Sequence, residues 1–260
     1  MKRHWIMGVA VVLSTAGTAW AADMPVKAHS VSAVPPVTNW TGLYVGGHIG
    51  YGWGDEKNVA TTGSANFAAG HVFDPTDVNG IIGGGQFGAN FQVGSWVLGL
   101  EGEYSASGID GRRSEPTELN PQPNLPRTST SHPEVDWLAD VTGRVGYSWG
   151  NWLVYAKGGG VWTHTKGSSV VSNAVNAALA TTVGSEDRSG WLVGGGVEWA
   201  ISQNWSAKIE YNYMDFGTKG ISRTNITPGP NLGNVNLRDS SLTLNTIKFG
   251  VNYRFNWGAM

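Results

Sequence analysis

Eight stretches of the chain alternate apolar and polar residues with a period of two: about 42–54, 79–93, 96–107, 135–149, 152–165, 190–201, 205–216 and 243–255. That period belongs to β-strands with two chemically different faces. The connections between the stretches also alternate. The second and third stretches are joined through Gly94-Ser95, the fourth and fifth through Gly150-Asn151, and the sixth and seventh through Ser202-Gln203-Asn204, all hairpin-type turns. The other four connections run to about 25 residues each and collect Asn, Pro, Thr and Ser, including Pro116, Pro121, Pro123, Pro126, Pro133, Pro228 and Pro230. Tight turns at one end and long loops at the other predict an eight-stranded antiparallel up-and-down transmembrane β-barrel, an all-β fold of the outer-membrane type.

Within each stretch the charges keep to one parity. The apolar parity reads Leu43, Val45, Ile49, Tyr51 and Trp53 in the first strand, and Trp96, Leu98, Leu100 and Tyr104 in the third. It continues through Trp137, Val141, Val145, Tyr147 and Trp149 in the fourth to Ile247, Phe249, Val251, Tyr253 and Phe255 in the last. The opposite parity holds Glu101, Glu103, Asp136, Asp140, Arg144, Lys157, Glu198, Lys208, Glu210, Lys248 and Arg254, together with many glycines. Alternation alone does not say which face is inside, and a soluble lipocalin-like barrel would reverse the assignment. Volume decides it. An eight-stranded barrel has an interior only just filled by side chains, and the tryptophan-rich face would overfill it. The polar, glycine-rich face is therefore expected inside and the apolar face against lipid. Trp96, Trp149, Trp152, Trp199 and Trp205 bracket the three tight turns, where an interfacial aromatic belt belongs. Ten residues at ~3.3 Å rise and ~40° tilt climb roughly 25 Å, the height of an outer-membrane apolar band.

The composition agrees with this reading and narrows it. Of 260 residues, 38 are Gly and 13 Trp, while charged residues make up only 14%, against roughly 25% in an ordinary soluble domain. A formal net charge of −2 offers no electrostatic footprint for nucleic acid. The absence of Cys excludes disulfide scaffolds, thiolate metal sites and Cys nucleophiles. At the N-terminus Lys2, Arg3 and His4 precede an apolar run from Trp5 to Leu13, and Ala19-Trp20-Ala21 offers a small-x-small cleavage site. Residues 1–21 thus read as a cleaved secretory signal, 22–39 as a flexible periplasmic tether and 40–260 as the barrel. Removal of the signal leaves a net charge of −4.

The inward charges bear on conduction. Six acids and five bases in a narrow barrel should pair across it, because unpaired buried charge is costly. With Gln86, Asn90, Gln92 and Asn252 they would form a polar plug; the alternative is a narrow porin for ions or small hydrophilic solutes. His48, alone on the inner face, reads as a satisfied interior group. His71, His132 and His164 lie among Asp, Glu and Ser in the long connections, but no spacing or elbow motif supports catalysis, a metal or a cofactor. Arg112, Arg113, Arg127 and Lys166 read as solvated loop charges, with contact to lipopolysaccharide phosphates as the alternative.

Several stretches carry a resemblance. Asn39-Trp40-Thr41-Gly42-Leu43-Tyr44-Val45-Gly46-Gly47, Gly83-Gly84-Gly85-Gln86-Phe87-Gly88, Trp96-Val97-Leu98-Gly99-Leu100-Glu101-Gly102-Glu103, Val154-Tyr155-Ala156-Lys157-Gly158-Gly159 and Lys248-Phe249-Gly250-Val251-Asn252-Tyr253-Arg254-Phe255 resemble the RopB-type alphaproteobacterial outer-membrane β-barrels, small surface proteins often described as porin-like. The resemblance spans the whole mature barrel. It implies an outer-membrane location, a structural or surface role without catalytic residues, and outer-membrane lipid and lipopolysaccharide as partners of a monomer or weak oligomer. It also implies that Phe255 signals to the barrel-assembly machinery, although the five residues 256–260 follow it here.

Overall fold

The computed structural model describes residues 38–61, 68–117, 126–173, 178–225 and 235–255. The expected signal segment, the expected tether as far as residue 37 and the C-terminal tail lie outside them, as do Pro121, Pro123, Pro228 and Pro230. The described chain consists almost wholly of antiparallel strands: β1 (Gly42–Ala60), β2 (Thr76–Val93), β3 (Trp96–Gly111), β4 (Arg113–Pro116), β5 (Arg127–Trp149), β6 (Trp152–Asn173), β7 (Ala178–Ala200), β8 (Trp205–Asn225) and β9 (Val235–Phe255). They pair in the order β3-β2-β1-β9-β8-β7-β6-β5-β4, and β3 also pairs with β5. Eight long strands therefore close a ring, while β4 continues β3 after Arg112 and adds to the edge of β5. Closure leaves no strand edge in the spanning region, the condition lipid imposes on a sheet.

The three tight turns fall where the spacing places them. Gly94 and Gly150 adopt φ of +61° and +56°, a region open to glycine at little cost. The four long connections come out differently. The strands run 16–23 residues, well past the height of a membrane, and absorb much of what reads as loop. Pro116 lies in β4, and Pro133 lies within β5 opposite Gly167. The alternation fades there because the medium outside changes. Above the spanning band, Val78, Ile109, Val135, Ile221 and Leu242 point inward and are buried, while Asp77, Asp110 and Glu134 point outward. Just above the spanning band the interior thus turns apolar while polar residues face outward, and farther out it is polar again, with Arg113, Ser129, Ser131, Arg188 and Arg238 buried.

Three irregularities mark the junction. Between Ala106 and Ile109 in β3, and between Val135 and Trp137 in β5, the register slips by a bulge. In β8 a third bulge falls between Asp215 and Thr218, where Gly217 takes φ +60° and its N–H donates to Asp215 Oδ1 at 2.8 Å. Bulges bend and twist a strand and redirect its side chains.

Candidate functional site

The outer wall fixes the orientation of everything within. Leu43, Ile49, Ile81, Phe87, Leu98, Leu100, Val141, Val193 and Phe249 are all exposed, with Leu100 at 66% and Phe87 at 70%. The expected belt tryptophans Trp96, Trp149, Trp152, Trp199 and Trp205 are likewise exposed and ring the tight-turn end. Trp96 packs edge-on against Tyr147, Trp152 stacks on Trp199 with centroids 5.9 Å apart, and Trp205 meets Tyr253, which in turn meets the exposed Phe255. A second ring of aromatics stands at the level of the bulges: Tyr51, Trp53, Tyr104, Trp137, Trp162, Trp191, Tyr211 and Tyr213. Only the lower ring is evident from the turns. The upper one is signalled by the aromatics at the far ends of the same parity.

Inside, the structure gathers nine of the eleven expected polar residues into one layer: Glu101, Glu103, Asp140, Arg144, Lys157, Glu198, Lys208, Glu210 and Lys248, all buried. Lys157 Nζ lies 3.0 Å from both Glu101 Oε1 and Glu210 Oε1, and 3.5 Å from Glu103. Lys208 Nζ reaches Glu103 at 2.9 Å and Glu101 at 3.1 Å. Lys248 pairs with Glu103 and, at 3.4 Å, with Glu210. Arg144 bridges Glu101 and Glu198 at 3.6 and 3.4 Å, and its Nε donates to Asn90 Oδ1. Asp140 is the outlier of the group, with only Lys157 nearby at 3.8 Å. Carboxylate oxygens of Glu101, Glu103 and Glu210 converge within 4.8 Å of one another, the one constellation among the described residues suited to a metal ion. The ammonium groups of Lys157 and Lys208 already stand among them, so the chain supplies its own counter-cations.

Two tyrosines that the sequence reading passed over complete the layer. Tyr44 and Tyr155 sit on the inward parity, and their hydroxyls donate to Glu101 Oε2 at 2.7 Å and Glu210 Oε2 at 2.8 Å. The guanidinium of Arg144 lies over both rings, at 4.7 and 5.1 Å from their centroids. Each tyrosine faces a glycine across its ladder, Gly88 and Gly196. That pairing of an inward aromatic with an inward glycine was the signal available in the sequence. His48 is held at both ring nitrogens, by Gln86 Oε1 at 2.5 Å and Ser105 Oγ at 2.7 Å.

Two expected members lie elsewhere. Asp136 is the extra residue of the β5 bulge, so the slip turns it out of the barrel, where it pairs with the exposed Lys166 at 2.5 Å. That carboxylate holds the Lys166 ammonium above the ordinary lysine range. Arg254 is buried but sits at the tight-turn end, its guanidinium 4.5 Å from the ring of Trp40 and bonded to the carbonyl of Ser202. Trp40, itself buried, closes this end with Val97, Leu153, Tyr155 and Ala200.

Above the charged layer lies one that the charge pattern hides. Val78, Ile82, Ile109, Val135, Leu138, Val161, Leu192, Met214, Phe216, Leu242 and Leu244 form a single buried apolar cluster across the barrel. At the mouth, Phe73 is buried between Arg238 and Arg113, 4.1 and 4.8 Å from its ring. Arg113, expected as a solvated loop charge, points inward because β4 continues the ladder. Of the candidate histidines, His132 is exposed on β5, and His164 Nδ1 lies 2.7 Å from Asp187 on the outer wall.

The comparisons accord with this architecture. The chain is 29% identical over 269 residues to the 31 kDa outer-membrane immunogenic protein of Brucella melitensis, covering 98% of this chain and 100% of that protein. It is 26% identical to the 25 kDa outer-membrane immunogenic protein of Brucella abortus (95% of each) and 26% identical to the 22 kDa outer membrane protein of Rhizobium leguminosarum (72% and 69%). Among solved structures, OprG from Pseudomonas aeruginosa aligns over 85% of this chain and 99% of its own at 11% identity and a TM-score of 0.48. Residues 9–255 match the model of the outer membrane protein beta-barrel domain, so the chain belongs to that family and resides in the outer membrane.

Proposed function

We propose that the protein is a non-catalytic structural barrel that strengthens the outer membrane and displays its tall outer strands at the cell surface. Its interior passes no solutes. The observation that carries this reading is the stacking of two dissimilar plugs, the cross-linked charged layer and the apolar cluster above it. An ion crossing the barrel would have to displace the first and then be stripped of water by the second. The cost of an unpaired charge in such surroundings is several kcal/mol at least. The apolar wall between the two aromatic rings takes the acyl chains of the membrane, with lipopolysaccharide around the outer half. Phe255, exposed at the end of β9, marks the last strand for the assembly machinery.

The surroundings of His164 do not favour nucleophilic catalysis. The His164–Asp187 pair stands on the convex outer wall, and among the described residues no serine or threonine hydroxyl bonds to His164. Nucleophilic catalysis needs all three groups in reach of one another. Single-channel recording of the purified protein in planar bilayers tests the central claim. Silence at moderate voltage is the expected result; a stable, large, open conductance would overturn it in favour of a porin.

A further inference from the structure

The wall of the outer half is not continuous. β7 and β8 pair residue by residue from Ala200↔Ser206 up to Trp191↔Asp215, and pair again at Val183↔Thr224. Between those points, residues 184–190 of β7 have no register partner on β8. The cause is local. The Asp215-Phe216-Gly217 bulge buries Phe216, turns the backbone through a positive φ at Gly217 and swings the rest of β8 away from its neighbour. The gap begins just above the Trp191–Tyr213 contact of the upper aromatic ring, so it opens above the membrane. What spans it is a side chain: Lys219 Nζ donates to the backbone carbonyl of Asp187. Lys219 shares its register row with Ser240 and Asn58, both buried within the barrel, yet is itself exposed.

Behind the gap lies a small chamber of about 40 Å³, lined by Glu56, Val135, Glu186, Arg188, Ile221 and Leu242 among others. Its floor is the apolar cluster, to which Val135 and Leu242 belong. Its wall is ionic. Arg188 donates to the Ser240 carbonyl at 3.2 Å and hydroxyl at 2.8 Å and to Glu186 Oε1 at 2.8 Å, with Glu56 at 3.7 Å. Two polar atoms are left over, Arg188 Nε and Glu186 Oε2, both buried without a protein partner. The Arg188 side chain is only 1% exposed, so its unmet donor is a real demand on the site.

We propose that this chamber is a hydration site entered sideways through the β7–β8 gap. Water accepts from Arg188 Nε–H and donates to Glu186 Oε2, and the volume holds roughly three to four molecules at the 10–15 Å³ each requires. Gly184, Ser185, Glu186 and Arg188 of β7 and Ile221 of β8 all line the chamber and all fall in the stretch where the two strands do not pair, so the flank is the route into it. The port ends blind on Leu242 and Val135, which keeps it compatible with a barrel that conducts nothing. Lys219 is its latch.

Hydroxyl-radical footprinting of the folded protein, read by mass spectrometry, tests this, since the radicals arise in water and mark side chains that water touches. Ile221 and Leu242 are expected to oxidise severalfold faster than Leu244 and Ile109, which are buried to a similar degree in the dry layer below. Lys219→Met should raise the Ile221 signal further and leave Leu244 unchanged. Protection of Ile221 equal to that of Leu244 in both proteins would overturn the proposal. So would an Ile221 signal that rises with Phe73→Ala but not with Lys219→Met, because the entrance would then be the mouth. Neither outcome touches the conductance measurement, so the two readings fail separately.

Discussion

Tyr155 stands directly opposite Gly196 across the β6–β7 ladder, and its hydroxyl occupies the space a side chain at 196 would need. A Cβ built on Gly196 would lie 2.7 Å from that hydroxyl and 2.5 Å from the Ile209 carbonyl. The Tyr155 hydroxyl then reaches Glu210, so the glycine indirectly fixes one corner of the charged layer. Tyr44 and Gly88 repeat the arrangement toward Glu101 on the far side of Arg144.

Gly196→Val should therefore overpack the interior and displace Tyr155 together. Overpacking costs about 1–3 kcal/mol, and loss of the charged hydrogen bond adds to it. Gly143→Ala is the control, because a Cβ there meets nothing within 4 Å. Urea midpoints of the folded band on unheated gels should fall for the first and hold for the second.

Among the described residues Arg144 is the sole cation within 4.0 Å of Glu198, and one of three that close to Glu101. Arg144→Met should lower stability by about 3–5 kcal/mol, the usual result of stranding a buried partner. Adding Glu198→Gln removes the stranded charge and should recover a large part of that loss. If the double variant is no more stable than the single one in the same urea titration, the pairing is not what Arg144 contributes.

How much of this was legible follows from where the two media change. In the spanning band the solvent outside is lipid, so parity sorts Leu100 from Glu101 and Val145 from Arg144 without ambiguity. Asp136 fails the same rule because a bulge is a change of parity that no composition records, and the wrong residue is then assigned to the interior. The upper strands were illegible because both faces carry small polar residues: Ser129, Ser131 and Ser169 are buried, while Thr128 and His132 are exposed. The apolar layer had a signal after all. Ile82, Leu138, Val161, Leu192, Met214 and Leu244 all sit on the inward parity at the same height, but they hide among glycines and charges until the register is known.

The Asp136–Lys166 pair on the outer wall offers a contrast with the buried one. Lys166 is 56% exposed, and an ion pair so open to solvent contributes little that salt does not screen away. Asp136→Asn should shift the unfolding midpoint little in dilute buffer and not at all in molar salt. A shift as large as that of Arg144→Met would mean that Asp136 belongs to the interior after all.

The outward face sets the last expectation. Leu100 lies mid-strand in β3, exposed, with Leu98 and Phe91 beside it on the same wall. Replacing it with Arg puts a guanidinium among acyl chains, at a cost of ~2–4 kcal/mol near the midplane. Leu100→Phe, equally apolar, should be tolerated. The same logic separates the tryptophans. In single-tryptophan variants, lipids brominated near the headgroup should quench Trp199 and Trp205 at the rim, and leave Trp40 bright, since it is buried under Arg254. Folding yield into liposomes and quenching report on different positions by different physics. Agreement between them fixes the apolar wall toward lipid; a bright Trp199 beside a quenched Trp40 would turn the barrel inside out.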